Sequence, residues 1–247
     1  MNIPRFFSST PLKPDSMVRL TGSPAKHMSK ALRMQPGNIV VLFDGSGCEY
    51  DATINSMAKS AVELRTHLAR TPRTESALEI ELWQGISKGS RMDAVVQKAT
   101  ELGVTRIRPV FTKYGMVKLD NARAEKRTKR WQEIAVSACE QSGRTVIPEV
   151  MPPIRLEIAL EALNQNQQAI MLALGDYSAL GTTPLTGKRM ILIIGPEGGF
   201  SNGEEALAKS LGVTFGSMGP RVLRTETAPL VALSILQYRY GDMGAKH

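Results

Sequence analysis

The sequence predicts an α/β fold, a mostly parallel sheet covered by helices, preceded by a small β-barrel. Three observations predict it. Short strand patterns crowd the first seventy or so residues, and from residue 77 strand patterns alternate with helical ones. The apolar run Met190 to Ile194 then empties into a glycine-rich turn, Gly195-Pro196-Glu197-Gly198-Gly199-Phe200. Alternating elements bury both faces of a sheet, and the carboxyl edge of such a sheet is where α/β proteins bind small molecules.

In the first part, Ile3 to Phe7, Met17 to Leu20, Ile39 to Phe43, Glu49 to Met57 and Val62 to Leu68 read as strands, with Asp44-Gly45-Ser46-Gly47 as a hairpin turn. Ser23-Pro24 fits a cap and a first helical residue, so one short helix is expected over Ala25 to Met34, ended before Pro36-Gly37. Its Lys26, His27, Lys30 and Arg33 are either a phosphate-facing set or solvated charges. The polar, proline-containing stretch Thr71 to Ser76 has no periodicity and marks a boundary, giving domains 1–72 and 73–247.

In the second part, Leu78 to Trp83 alternates as a strand, and Met92, Val95, Val96, Ala99 and Leu102 fall on one helical face that stops at Gly103. Val104 to Phe111 is the next strand. Ala122 to Ser142 is a helix with Arg123, Lys126, Arg127, Lys129 and Arg130 in its first half and an apolar stripe of Trp131, Ile134, Ala135, Ala138 and Cys139. Further strands are expected at Val146 to Val150, Ala169 to Leu174, Arg189 to Ile194 and Val213 to Phe215. Ser201-Asn202-Gly203-Glu204 has capping-box spacing, and Thr227-Ala228-Pro229 offers a start for a last helix, Leu230 to Tyr240.

Composition narrows the function. With 247 residues, 42% of them apolar, the chain can fill a real core. No signal-peptide core and no run near the roughly 20 apolar residues of a membrane span occur, so a soluble cytoplasmic protein with no membrane partner is expected. Cys48 and Cys139 have no paired spacing and His27, His67 and His247 are scattered, so neither a disulfide framework nor a metal site is expected. The net charge of +8 is uneven: residues 1–72 and 73–150 each carry +4, and residues 151–247 carry none. Either this is a generic basic surface, or one part grips a polyanion while another holds a cofactor.

A second glycine turn, Ser217-Met218-Gly219-Pro220, leads into Arg221-Val222-Leu223-Arg224-Thr225-Glu226-Thr227-Ala228. Either turn alone could be an ordinary tight turn; together they favour one composite pocket. Neither is a phosphate cradle, because no Lys-Ser/Thr follows the glycines and no triple-glycine fingerprint opens a helix. A cofactor held by backbone groups and apolar walls fits better.

Five motifs occur in order: Lys88-Gly89-Ser90-Arg91-Met92-Asp93, Gln97 to Gly103, Ala138 to Arg144, Gly195 to Phe200, and Gly219 to Ala228. With Arg5-Phe6-Phe7 and the His27 to Arg33 helix, they resemble the ribosomal RNA small subunit methyltransferase E family end to end. That resemblance implies a SPOUT-type, trefoil-knotted parallel sheet behind a PUA-like β-barrel. It implies an S-adenosylmethionine-dependent enzyme that methylates N3 of a uridine in 16S ribosomal RNA, free or in the small ribosomal subunit, and a homodimer. A non-catalytic RNA-binding or ribosome assembly factor is the alternative. The chain departs from the family pattern at Ser90, at Lys113-Tyr114-Gly115 and at Pro229.

Within the resemblance, Leu172, Leu174, Gly195, Pro196, Glu197, Gly198, Gly199, Met218, Gly219, Leu223, Arg224, Thr225, Thr227 and Ala228 are the expected cofactor contacts. Uridine N3 carries a weakly acidic proton, so transfer needs a base or cations that stabilise the uridinate oxygens. Arg224 and Arg144 are candidates for the cations, and Glu140 and Glu226 for the base. Arg224 could instead be a structural ion-pair partner of Glu197 or Glu226, and Glu197 a loop brace. Arg5, Arg33, Lys88, Arg91 and Lys98 are the expected RNA contacts, each alternatively a solvated charge.

Overall fold

The structure is a computed structural model that describes residues 3–58, 60–117, 119–164 and 167–244; His247 lies outside the described residues. The chain forms two compact units, Met1–Glu75 with Cys139–Ile147, and Ser76–Ala138 with Pro148–His247.

The first unit is a five-stranded mixed sheet that wraps a single core. Its strands are β1 (Arg5–Phe7), β2 (Met17–Thr21), β3 (Ile39–Phe43), β4 (Glu49–Met57) and β5 (Ala61–Arg70), in the order β1-β3-β4-β5-β2. β1 runs parallel to β3 and the other pairs are antiparallel. Alternation drives the closure: β2 buries Val18 and Leu20, and β5 buries Val62 and Leu64, against Phe6, Met28, Leu42 and Ile54. Gly45 and Gly47 take positive φ in the turn between β3 and β4, and the Asp44 carboxylate ties that turn to the Leu12 and Ser46 backbone N–H groups.

The helix expected over Ala25 to Met34 is shorter and of a different kind. An α-helical turn, α1 (Ser23–Lys26), passes into a π-helical turn over His27–Ala31, and Gly22 rather than Ser23 occupies the cap. The widened turn, with Leu32 N–H on His27 O and Met34 N–H on Met28 O, buries Met28 completely. Arg33 at φ 51° ends it. Nothing in the apolar spacing distinguishes a π-turn from an α-turn.

The second unit holds a seven-stranded sheet of β6 (Glu79–Gly85), β7 (Arg106–Phe111), β8 (Glu149–Val150), β9 (Ile154–Arg155), β10 (Gln168–Leu172), β11 (Arg189–Ile194) and β12 (Thr214–Gly216). The order is β12-β10-β11-β6-β7-β8, with β9 also on β7, and every pairing is parallel. The helices are α2 (Arg91–Glu101), α3 (Asn121–Ser142), α4 (Leu156–Glu161), α5 (Asn202–Ser210) and α6 (Thr227–Tyr240). Leu156, Leu160 and Ala208 of α4 and α5 cover Trp83, Met171, Ile191 and Ile193, while α2 and α6 pack on each other. Parallel central strands are buried on both sides and read as continuous apolar runs, which is the pattern of Met190 to Ile194. The capping box at α5 forms as its spacing requires: Ser201 Oγ accepts from Glu204 N–H and the Glu204 carboxylate accepts from Ser201 N–H.

Candidate functional site

Three neighbouring parallel strands, β12, β10 and β11, end at Gly216, Leu172 and Ile194. Parallel strands share one carboxyl edge, so the segments that leave them converge. There a cavity of about 670 Å³ opens, lined by residues 172–174, 194–200, 216, 218–219, 221–226 and 228 together with Arg91 and Glu205. That volume lies within the roughly 300–1,000 Å³ of small-molecule pockets. All of the expected cofactor contacts line it except Thr227, which is exposed on the first turn of α6. Arg91, Ala173, Phe200, Glu205, Arg221 and Val222 line it as well and carried no cofactor expectation.

Glycine is needed here for close approach. A Cβ on Gly85, at the end of β6, would lie 2.4 Å from Pro196 Cδ and 2.4 Å from its nitrogen. One on Gly198 would lie 2.9 Å from Tyr114 Cβ. Gly199 and Gly219 take positive φ, 67° and 92°, and a Cβ on either would meet nothing within 4 Å. The first pair holds the turn against its neighbours and the second leaves room in front of it.

Beneath the pocket, hydrogen bonds tie the two loops together. Thr225 Oγ1 reaches Gly195 O at 3.3 Å and pairs with Ser87 Oγ at 2.9 Å, and the fully buried Gln84 amide donates to Thr225 Oγ1 at 3.4 Å. From α2, Arg91 bridges the loops: Nη1 lies 2.6 Å from Glu197 Oε1 and Nε lies 3.7 Å from Glu226 Oε2. Burial works against the ionised Glu197, but its own backbone N–H, the Arg91 hydrogen bond and the Lys88 backbone together hold its carboxyl below the usual range. Arg91 thus takes both carboxylates that were alternative partners for Arg224. Arg224 itself is exposed at the pocket and makes no ion pair among the described residues; its carbonyl accepts from Thr227 and Ala228 N–H and starts α6.

The structure gathers Arg224 and Glu226 at the pocket, but not Arg144 or Glu140, which belong to the first unit. Arg144 is 3% exposed and bonded to Glu75 at 2.7 Å, and Glu75 also accepts from the Thr145 and Val146 N–H groups. Glu140 accepts from Phe7 N–H at 3.0 Å, and burial pushes its carboxyl up despite that bond and the nearby His27 and Arg5. Of the expected RNA contacts, Arg5 is turned inward. It pairs with Glu49, donates to Gly143 O and Arg144 O, and lies over the Phe43 ring, which leaves it a brace rather than a phosphate ligand. Lys98 pairs with Glu101, while Arg33 and Lys88 are exposed without an ion pair among the described residues.

Among the described residues no three of His, Cys, Asp and Glu gather as metal ligands, and no helix is long and apolar enough to cross a membrane.

The profile of an RNA methyltransferase domain matches residues 74–237, and that of an RNA methyltransferase PUA domain matches residues 20–66. The chain is 31% identical over 229 residues to the ribosomal RNA small subunit methyltransferase E of Bacillus subtilis, covering 89% of each chain. To that of Buchnera aphidicola from Acyrthosiphon pisum it is 33% identical, covering 97% of this chain and 95% of the relative. Two solved structures share 37% identity over 98% of this chain and all of theirs. One is a protein of Legionella pneumophila in complex with the bound cofactor S-adenosylmethionine (TM-score 0.94). The other is a ribosomal RNA small subunit methyltransferase E of Neisseria gonorrhoeae bound to S-adenosylmethionine (TM-score 0.92).

Proposed function

We propose that this chain, which belongs to the ribosomal RNA small subunit methyltransferase E family, transfers the methyl group of S-adenosylmethionine to N3 of a uridine in 16S ribosomal RNA. The observation that carries the reading is the single cavity that both glycine loops line at the carboxyl edge of β10, β11 and β12.

The residues present fit that cofactor. Leu172, Ile194, Leu223 and Ala228 offer apolar walls for an adenine, and the open Cβ directions at Gly199 and Gly219 let backbone groups approach it. The carboxylates of Glu197, Glu205 and Glu226 balance a cationic ligand, and Arg221 and Arg224 suit its carboxylate and the developing charge on the base. When bound, S-adenosylmethionine supplies a methyl group on a cationic sulfur, ready for an aligned nucleophile.

The protein's part is alignment and charge. Arg224, which like Arg221 lines the pocket without a carboxylate partner among the described residues, stabilises the uridinate oxygens. Glu226 takes the N3 proton: its Oε2 is buried with no hydrogen-bond partner among the described residues, and Arg91 Nε lies 3.7 Å from it. Arg144 and Glu140 serve as internal braces of the first unit. Arg33, Lys88, Arg91 and Lys98 meet RNA phosphates.

The same reading takes residues 1–72 as the PUA-like RNA-binding barrel and residues 73–247 as the SPOUT catalytic domain, with the loops at 195–200 and 217–226 forming a trefoil knot. The strand order, in which β10 lies between β11 and β12, supports the knot. A homodimer is supported by α6, whose apolar residues are not confined to one side: Leu233 and Leu236 are buried, Val231 and Ile235 half-buried, and Tyr238 is 70% exposed. A ribosomal RNA substrate fits a cytoplasmic enzyme.

Titration calorimetry with S-adenosylmethionine tests the reading. Binding at one site per chain is expected, weakened at least tenfold by Gly199→Val, which puts a branched side chain on a left-handed residue of the pocket lining. Absence of binding, or equal affinity in the variant, refutes it.

A further inference from the structure

The basic first half of α3 plays no part in the cofactor pocket, yet it lines a cavity of its own. Arg123, Lys126, Arg127 and Arg130 follow the i, i+3, i+4, i+7 spacing that sets side chains on one helix face. With Lys129 and one carboxylate, Glu133, they form one side of a cavity of about 750 Å³ that Met116, Val117 and Leu119 also line. Asp120 pairs with Arg123 at 3.4 Å and Asp93 with Arg130 at 2.7 Å. Among the described residues no carboxylate pairs with Lys126 or Arg127. Like charges three and four apart destabilise a helix, so a bound polyanion would relieve the stripe. Among the described residues the facing wall is apolar, with Met116 66% exposed.

The same loop joins this groove to the pocket. Tyr114 sits against Gly198, where an added Cβ would come within 2.9 Å of it, and Lys113 N–H donates to Glu204 Oε1 at 2.8 Å. Three residues on, the chain forms the apolar wall of the groove. A strand whose target base enters the pocket beside Gly198 therefore meets cations on one side and apolar side chains on the other as it continues.

We propose that this groove binds the unpaired RNA strand flanking the target uridine, with Lys126 and Arg127 on its phosphates and Met116 and Leu119 against the face of an unstacked base. The proposal rests on the reading of the chain as a ribosomal RNA methyltransferase.

The test is binding of deproteinised 16S ribosomal RNA to the full chain over a range of salt, with Lys126→Ala/Arg127→Ala beside Lys126→Arg/Arg127→Lys. Each single-strand phosphate contact contributes about 0.7 to the log-affinity against log-salt slope. The alanine pair is expected to flatten the slope by about 1.4, which weakens binding on the order of tenfold at 0.15 M salt. The charge-conserving pair should keep both, and S-adenosylmethionine affinity by calorimetry should be unchanged throughout. An alanine pair with wild-type affinity, or with weaker binding and an unchanged slope, overturns the groove as a phosphate site. Wild-type protein that binds the cofactor but not the RNA refutes instead the RNA substrate on which the proposal rests.

Discussion

Gly85 and Pro196 interlock: the end of β6 comes so near the glycine turn after β11 that a single methyl group on Gly85 would lie 2.4 Å from the proline ring. The contact is with backbone as well as ring, so no side-chain rotation relieves it. Gly85→Ala must therefore shift the turn that lines the pocket. Overpacking of this kind costs about 1–3 kcal/mol. A lower thermal midpoint together with at least tenfold weaker S-adenosylmethionine binding is expected, read by thermal unfolding and calorimetry.

Arg224 and Glu226 separate chemistry from architecture. Arg224 is exposed and unpaired among the described residues, so Arg224→Ala should leave the thermal midpoint within a degree or two while cutting methyl transfer on the order of a hundredfold. Glu226→Gln keeps the shape and removes the proton acceptor, with a similar loss of turnover and little change in cofactor affinity. Steady-state rates beside calorimetry check both.

Arg5 gives the opposite signature. Its guanidinium binds Glu49 and two carbonyls, so Arg5→Ala should destabilise the first unit by about 2 kcal/mol in urea unfolding. It should leave the salt dependence of RNA binding unchanged, because the side chain is not available to a phosphate.

Glu140 predicts a pH dependence. Burial raises its carboxyl above the ordinary 4.5, so the folded state holds the proton more tightly than the unfolded chain. The resulting stability is fully present below the ordinary value and is lost as pH rises through the raised one. Glu140→Gln, which still accepts from Phe7 N–H, should abolish that loss. Urea midpoints from pH 4 to 7 for the two proteins provide the comparison.

Much of the fold was legible because the sheets bury their strands in simple patterns. The β3, β4 and β11 strands fall at the residues their alternation or apolar run marks, and the Ser201 capping box forms as spaced. Local pattern also gave both glycine loops, and with them most of the pocket lining. What it could not give are relations between residues far apart in sequence. The reach of Arg91 to Glu197 and Glu226, the pairing of Arg144 with Glu75, and the grouping of Cys139–Ile147 with the first unit each depend on tertiary placement. Charge alone made Arg5 resemble a phosphate ligand, because a sequence does not tell an inward guanidinium from an outward one. Gly85 had no local signal as part of the site, since the residue that demands it lies on another strand's loop.

The central claim is that the cavity between the glycine loops brings a methyl donor to a uridine of ribosomal RNA. The most direct measurement incubates the purified protein with 16S ribosomal RNA, or with small subunits lacking the modification, and S-adenosylmethionine carrying an isotope-labelled methyl group, then digests the RNA for mass spectrometry. Label in 3-methyluridine at a single position, absent with Arg224→Ala, is the predicted result. Label on another atom or another base, or no label while the cofactor binds, contradicts it.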